Sequence, residues 1–368
     1  MATSKPETHQ LPRSSTRYWH RPLRQSSRVR TVTESATTQP DALAVTAAVQ
    51  DATCGQPRLT HRHTLAQEST TNMKPVRPTF SIIIPTYNRP GHLAEALRAL
   101  GEQHYPTTRF EVIVINDGDT PVPPYATAGL PNGLEVAVLS QEHAGPAAAR
   151  NTGGEQASGR YAVFTDDDCR PAPDWLEVLA AQYAVTPDHL VGGRTVNTLW
   201  DNVYSMASDA LIAYLIDYYR VHSTHSWFVP TCNLAVPADS FRAIGGFDPG
   251  FARAGGEDRE FCDRWRHLGG QTTYIAEAIV YHFHALEATS FWRQHFTYGR
   301  GAYRFHATRA TRGQGRVRPE PARFYIGLVR YPYIEPRSPR ALTVSALLGL
   351  SQVANAAGFI WEWVRHRV

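Results

Sequence analysis

Three consecutive carboxylates, Asp166, Asp167 and Asp168, close the hydrophobic run in "YAVFTDDDCRP" at residues 161–171. Like charges repel, so such a run needs open solvent or a neutralising cation. In an extended backbone residues i and i+2 point the same way, which would put Asp166 and Asp168 on one side and Asp167 on the other. Two carboxylates aimed into one crevice suit a hard divalent ion, Mg2+ or Mn2+, with positions left for phosphate oxygens. The competing reading is a solvated acidic turn, or an N-cap for a helix beginning near Pro173. Asp174 already stands at that start, so a cap leaves three acids unexplained.

Other residue types capable of chemistry recur along the chain, each with a plainer alternative. Asp117 ends the run "VIVIND", where its carboxylate could accept a hydrogen bond from a base imide N–H. The alternative is an Asp-Gly hairpin turn, but the "TPVPP" that follows cannot pair as a strand. Arg150 in "GPAAARN" could neutralise a diphosphate bidentately, or be an exposed helix charge. In "GGED" two glycines allow close approach to a ligand, and Glu257 and Asp258 enter a helix whose N-terminus would keep Asp258 ionised. That suits a general base taking a proton from a hydroxyl; an acid that merely complements the helix dipole is the alternative. His282 and His284 in "VYHFH" would share a side of a strand and could complete a metal site as neutral imidazoles, or be ordinary packed or surface residues.

The elements that must position these groups follow from hydrophobic period. "FSIIIP" (80–85), "FEVIVI" (110–115), "LEVAVL" (134–139) and "RYAVFT" (160–165) read as strands buried on both faces. "GHLAEALRALGEQ" presents Leu93, Ala96, Leu97 and Leu100 on one helical face. "AGPAAARNTGGEQASG" allows a helix that is close-packed or interrupted at Gly153 and Gly154. The rhythm predicts a mostly parallel α/β sheet, with ligands beyond the carboxyl ends of its strands, where the polar tips "PTYNRP", "NDGD", "SQEHAG" and "TDDD" all fall. Further on, a helix is expected over "WDNVYSMASDALIAYLIDYYRVH", a strand over "WFVPTCNLAVP", a short helix over "ADSFRAIGGFDPGF", a helix over "GGEDREFCDRWRHLGG" and a strand over "TTYIAEAIVYHFH".

Composition bounds the class. At 368 residues the chain carries a net charge of +4, and eleven Lys/Arg face five Asp/Glu in the first 78 residues, so the remainder is close to −2. A nucleic-acid partner, which asks for a positive binding face, is excluded on that balance. Four scattered cysteines with no CxxC point to a reducing cytosol. Residues 1–78, rich in Ser, Thr, Gln, Pro and Arg without apolar period, read as a disordered leader. Met73 would serve as an alternative start, leaving residues 1–72 dispensable or untranslated.

Taken together, "SIIIPTYNRP", "VIVINDGD", "GPAAARNTGGEQASGRYAVFTDDDCRP", "TCNLAVPADSFRAIGGFD", "GGEDREFCDRW" and "VYHFH" resemble, in order and spacing, a bacterial family 2 glycosyltransferase with the GT-A fold over residues 80–305. The resemblance implies an inverting, metal-dependent transfer of sugar from a nucleotide-diphosphate sugar to a hydroxyl of a polysaccharide, glycolipid or other glycoconjugate. It implies Asp168 as a metal ligand with His282, or alternatively His284, as partner, and Asp166 and Asp167 in the donor site. It further implies Pro85, Tyr87 and Asp117 lining the base pocket, Arg150 near the donor, Asp258 as catalytic base and Glu257 as an acceptor or donor contact. Asp119, where the family has serine, departs from the pattern. The competing functions are a nucleotidyltransferase, which would want a Gly-rich basic loop that "PTYNRPGHL" lacks, and a non-catalytic sugar-binding scaffold.

The expected organisation is the leader, a catalytic unit over 79–308, and residues 309–368 as a basic linker with a C-terminal apolar helix. In that helix Ser345, Gln352, Asn355 and Glu362 fall on one stripe, and Trp361 and Trp363 lie beside Arg365 and Arg367. Such a helix lies in a membrane interface, or docks on the protein, rather than spanning. The Arg-rich stretch 309–324 would meet anionic lipid. The expectation is a cytoplasmic protein held peripherally at the inner face of the plasma membrane.

Overall fold

The computed structural model describes residues 77–131, 133–222, 228–251, 255–313, 319–334 and 340–367; the expected leader and the Met73 start lie outside them. Four parallel strands form the first half: β1 (Phe80–Thr86), β2 (Phe110–Asn116), β3 (Glu135–Ser140) and β4 (Tyr161–Phe164). They are joined by crossovers that include α1 (Pro90–Gly101) and α2 (Pro146–Gln156). Pro90 at the start of α1 presets the helical φ, and Leu93, Ala96, Leu97 and Leu100 are its buried face, as the spacing predicts. The glycine pair of α2 serves close packing: a Cβ on Gly153 would strike Ile83 and one on Gly154 would strike Phe241. β3 departs from expectation. It is an edge strand, partly to fully exposed along its length, with Leu139 packed toward Ala149 of α2.

The second half comprises β5 (Cys169–Pro171), α3 (Trp175–Val185), β6 (Leu190–Asn197), α4 (Val203–His222), β7 (Leu234–Pro237), α5 (Ala238–Ala243), α6 (Glu257–His267) and β8 (Thr272–His282). Three long or apolar helices follow: α7 (Ala288–Thr311), α8 (Ala322–Ile334) and α9 (Ala341–Arg365). The strands complete one sheet in the order β3-β2-β1-β4-β7-β6-β8-β5. β7 runs antiparallel to β4 and β6, and β5 antiparallel to β8. The register of β6 on β8 shifts between Gly193 and Arg194, where a Cβ on Gly193 would meet the Ala278 carbonyl and the Asn233 amide. The strand expected over "WFVPTCNLAVP" is real only from Leu234, since Thr231–Asn233 form a 3-10 turn.

One apolar layer joins Ile82, Ile84, Val112, Val114 and Val163 to α1 and α3, with Trp175 fully buried. The other joins Ile83 and Phe164 to Phe241, Phe247, Phe261 and Trp265 and continues into α4, α8 and α9. α7 is continuous across residue 308, where the sequence suggested a boundary. The stretch expected as a free basic linker begins inside this unit: Arg309 pairs with Asp263, and Arg312 with Glu260.

Candidate active site

Strand pairing builds the site. Cys169 lies opposite His282 in the β5–β8 ladder, and the Phe283 N–H donates to the Asp168 carbonyl at 2.9 Å. The chain therefore leaves β4, turns through the aspartates and returns beside the histidines. Because residues 166–168 form a turn and not an extended segment, the alternation expected for Asp166 and Asp168 is absent. Each aspartate has its own surroundings instead.

Asp168 is buried and faces both histidines, His282 Nε2 at 3.3 Å from Oδ1 and His284 Nδ1 at 3.2 Å from Oδ2. The two rings stack 5.4 Å apart at 15°. One ligand atom from each of Asp168, His282 and His284 fits within a mutual 4.8 Å, a spacing that can hold one metal ion. Behind His284, Gln294 on α7 offers Oε1 to Nε2 at 3.1 Å. Its own Nε2 donates to Ser208 Oγ at 2.9 Å and Tyr298 OH at 2.8 Å. Gln294 thus holds the His284 ring from behind. For His282, burial opposes the charge, yet the hydrogen bond and the field of Asp168 lift its pKa to about 9.

Asp167 is buried, takes a 2.7 Å hydrogen bond from Thr86 Oγ1 and pairs with Arg89. Burial pushes its pKa up to about 7 against that pairing. Arg89 also reaches Asp168 Oδ2 at 2.9 Å. Its place in "PTYNRP" gave a signal, a cation two residues beyond Tyr87 at the same sheet edge, that the reading of the aspartates alone missed. Asp166 is half-buried and bonds Arg150 Nη2 at 2.6 Å.

Arg150 is buried, and its Nη1 donates to Glu257 Oε1 at 3.1 Å. Two carboxylates are thus its partners among the described residues. Glu257 is buried as well, and its Oε2 takes the Gly255 N–H at 2.7 Å. These residues form a strut from the aspartate turn to the start of α6. Beside it Asp258 is half-buried, with Oδ1 accepting the Arg259 N–H at 2.8 Å. Burial, and then the neighbouring Glu257 charge, raise its pKa to about 7. The helix start was expected to keep Asp258 fully ionised; desolvation outweighs it.

Asp117 lies at the other end of the edge, also satisfied from within. Oδ1 takes Gln141 Nε2 at 2.8 Å and the Ala144 N–H at 2.9 Å; Oδ2 takes His143 Nδ1 and the Gly145 N–H, both at 3.0 Å. Four donors match the lone-pair sites of a carboxylate, so Asp117 shapes the loop ahead of α2, and a base imide would have to displace one of them. Tyr87 is half-exposed and stands 4.6 Å from the His143 ring; Pro85 lies just before it at the end of β1. Asp119 is exposed and away from these contacts.

With the geometry in hand, likeness to known proteins is informative. The family model described as glycosyl transferase family 2 matches residues 81–245, and one described as the N-terminal domain of galactosyltransferase matches residues 213–286. Glycosyltransferase AglE of Haloferax volcanii is 30% identical over 209 residues, covering 56% of this chain and 67% of that protein. Validoxylamine A glucosyltransferase of Streptomyces hygroscopicus subsp. jinggangensis is 30% identical over 230 residues, covering 55% and 54%. The chain thus spans about two thirds of the first and about half of the second. Among solved structures, the mannosyltransferase PcManGT of Pyrobaculum calidifontis in complex with GDP-Man and Mn2+ superposes with a TM-score of 0.51 at 21% identity over 76% of each chain, a likeness of fold.

Proposed function

The chain belongs to glycosyl transferase family 2, and we propose that it moves a sugar from a nucleotide-diphosphate sugar to an acceptor hydroxyl by one displacement with inversion. The observation that carries this reading is the strut Asp166–Arg150–Glu257, which holds the Asp168–His282–His284 cluster and Asp258 in one fixed frame. Asp258 takes the acceptor proton: a carboxylate raised to about 7 is roughly half ionised at pH 7 and basic enough to accept a proton. Arg150, Asp166 and Glu257 position; the open flank of Tyr87 and His143 offers a wall on which a base can stack.

Asp168, His282 and His284 would hold a divalent ion, and their donor set fits one. Two imidazoles with one carboxylate favour Mn2+ over Mg2+, which prefers oxygen throughout. Bound there, the ion would offset the negative charge that grows on the departing diphosphate. The structure of PcManGT was obtained with GDP-Man and Mn2+, which agrees with a nucleotide-sugar donor and this ion. The acceptor is a carbohydrate or lipid-linked hydroxyl, and the protein works cytoplasmically as a peripheral protein at the inner face of the plasma membrane.

A panel of UDP-, GDP- and dTDP-sugars assayed with Mn2+, with Mg2+ and after chelation tests the reading. Metal-dependent turnover of one donor is expected. Failure to bind any nucleotide sugar, with or without metal, would contradict it and leave a non-catalytic scaffold.

A further inference from the structure

α9 is the one helix among the described residues long and apolar enough to cross a membrane by composition, yet it is docked lengthwise. Gly299 on α7 abuts the Asn355 carbonyl, and Gly358 on α9 abuts the Phe296 carbonyl, so closely that a Cβ at either would collide. A helix held in this way cannot span a bilayer while its unit stays folded outside it.

Its orientation is the reverse of that of a helix covering a water-facing surface. The polar residues point inward. Ser345 Oγ donates to the Val329 carbonyl at 2.8 Å, and the wholly buried Glu362 takes Arg300 Nε at 2.6 Å and Arg304 Nε at 2.8 Å. The outward stripe is Leu342, Leu350, Val353, Ile360 and Val364, exposed by 40 to 76%. α8 adds exposed Ile326, Val329 and Tyr333, and Trp361 and Trp363 are exposed at the far end of α9. The exposed charges on these two helices are Arg323, Arg330 and Arg365, and their sole acid is Glu362, turned inward.

Resting on the reading that the protein works at a membrane, we infer that the outward face of α8 and α9 lies in the interface of a bilayer bearing anionic phospholipid, with α9 parallel to the surface. Apolar residues enter the acyl boundary, the tryptophans sit at headgroup depth and the arginines meet phosphate. A two-fold pairing of copies through this face would bring arginine rims of one sign together, which favours lipid over a second copy. The helix that carries this face packs through its inward side on α7, which touches Gly255 through Gly301.

The test is co-sedimentation of the full chain with phosphatidylcholine vesicles with and without phosphatidylglycerol, alongside light scattering and donor hydrolysis. Wild type should bind the anionic vesicles, and adding them should shift its tryptophan emission to the blue. Leu350→Glu with Val353→Glu should bind at most about a tenth as well, through lost apolar burial. Arg323→Ala and Arg330→Ala should each weaken binding about fivefold, less so at high salt. Hydrolysis and melting temperature should hold in all of them. Vesicle binding that survives Leu350→Glu with Val353→Glu would overturn the assignment of the face and leave the membrane reading standing. No binding by wild type would overturn both. A wild-type dimer that the same pair of substitutions dissolves would give the face to a second copy, against the inference.

Discussion

At the residue scale Asp258 carries the most weight. Its carboxyl is raised from the ordinary carboxylate range to about 7 by burial and then by Glu257. Below that pH it holds its proton and cannot accept another, so kcat/KM for transfer should climb with pH to a plateau above about 7. Asp258→Asn should cost about 10²- to 10⁴-fold in kcat with donor affinity kept. The linkage has a definite sign. The native state binds this proton more tightly than the unfolded chain, so the group's contribution to stability is present below the usual carboxylate pKa and lost as pH rises through about 7. Asp258→Asn should therefore melt higher than wild type at pH 8, with the gap closing toward pH 4; equal melting temperatures at pH 8 would show that the carboxylate is not held under strain. "GGED" made this residue legible in the sequence. Its basicity was not, because helix-start position argues for a low pKa and only the fold reveals the desolvation that opposes it. Arg150 and Glu257 were singled out as charged residues near a site; that they pair with one another in buried surroundings shows only in the fold.

At the scale of elements, the periodic segments were legible and the non-local pairings were not. β1, β2 and β4 and helices α1 and α6 fall where apolar period and cap signals put them. β5 is three residues long and β6 is interrupted at its centre by Gly192 and Gly193, so neither has a clear propensity signal, and both pair with β8. That pairing is what sets His282 and His284 against Asp168. α7 contributes what no motif announced, the Gln294 amide behind His284. Gln294→Leu should raise the Mn2+ dissociation constant about 10- to 100-fold, read by electron paramagnetic resonance titration, with little change in melting temperature; unchanged Mn2+ affinity would assign Gln294 to packing alone. α7 and α9 meet through Gly299 and Gly358 with backbone nearly touching backbone. Gly299→Ala should lower stability by about 1–3 kcal/mol in denaturant unfolding, and a neutral result would mean that the helices are free to separate.

For the molecule as a whole, the sequence showed an apolar C-terminal helix with a polar stripe, but not which stripe faces the protein. Amphipathicity alone assigns the polar side to water. Arg300 and Arg304 reverse that by drawing Glu362 inward, and the reversal leaves the apolar side without a covering. The same unit thus carries an acidic, histidine-lined site at the carboxyl ends of its strands and an apolar, arginine-edged face on its last two helices. α7 links the two helical regions, through Gln294 at the site and through Gly299 against the inward side of α9. An acceptor presented at a bilayer would meet the site across a single helix, which accords with a lipid-linked hydroxyl as one of the two proposed acceptor classes.

The measurement that bears most directly on the central claim compares wild type and Asp258→Asn for donor binding by calorimetry and for transfer, in Mn2+, with the donor identified from the panel. Equal donor affinity in the two proteins is expected, with transfer reduced about 10²-fold or more in the variant. Transfer that persists at the wild-type rate in Asp258→Asn, with donor bound equally well, would contradict Asp258 as the base and the single-displacement reading built on it.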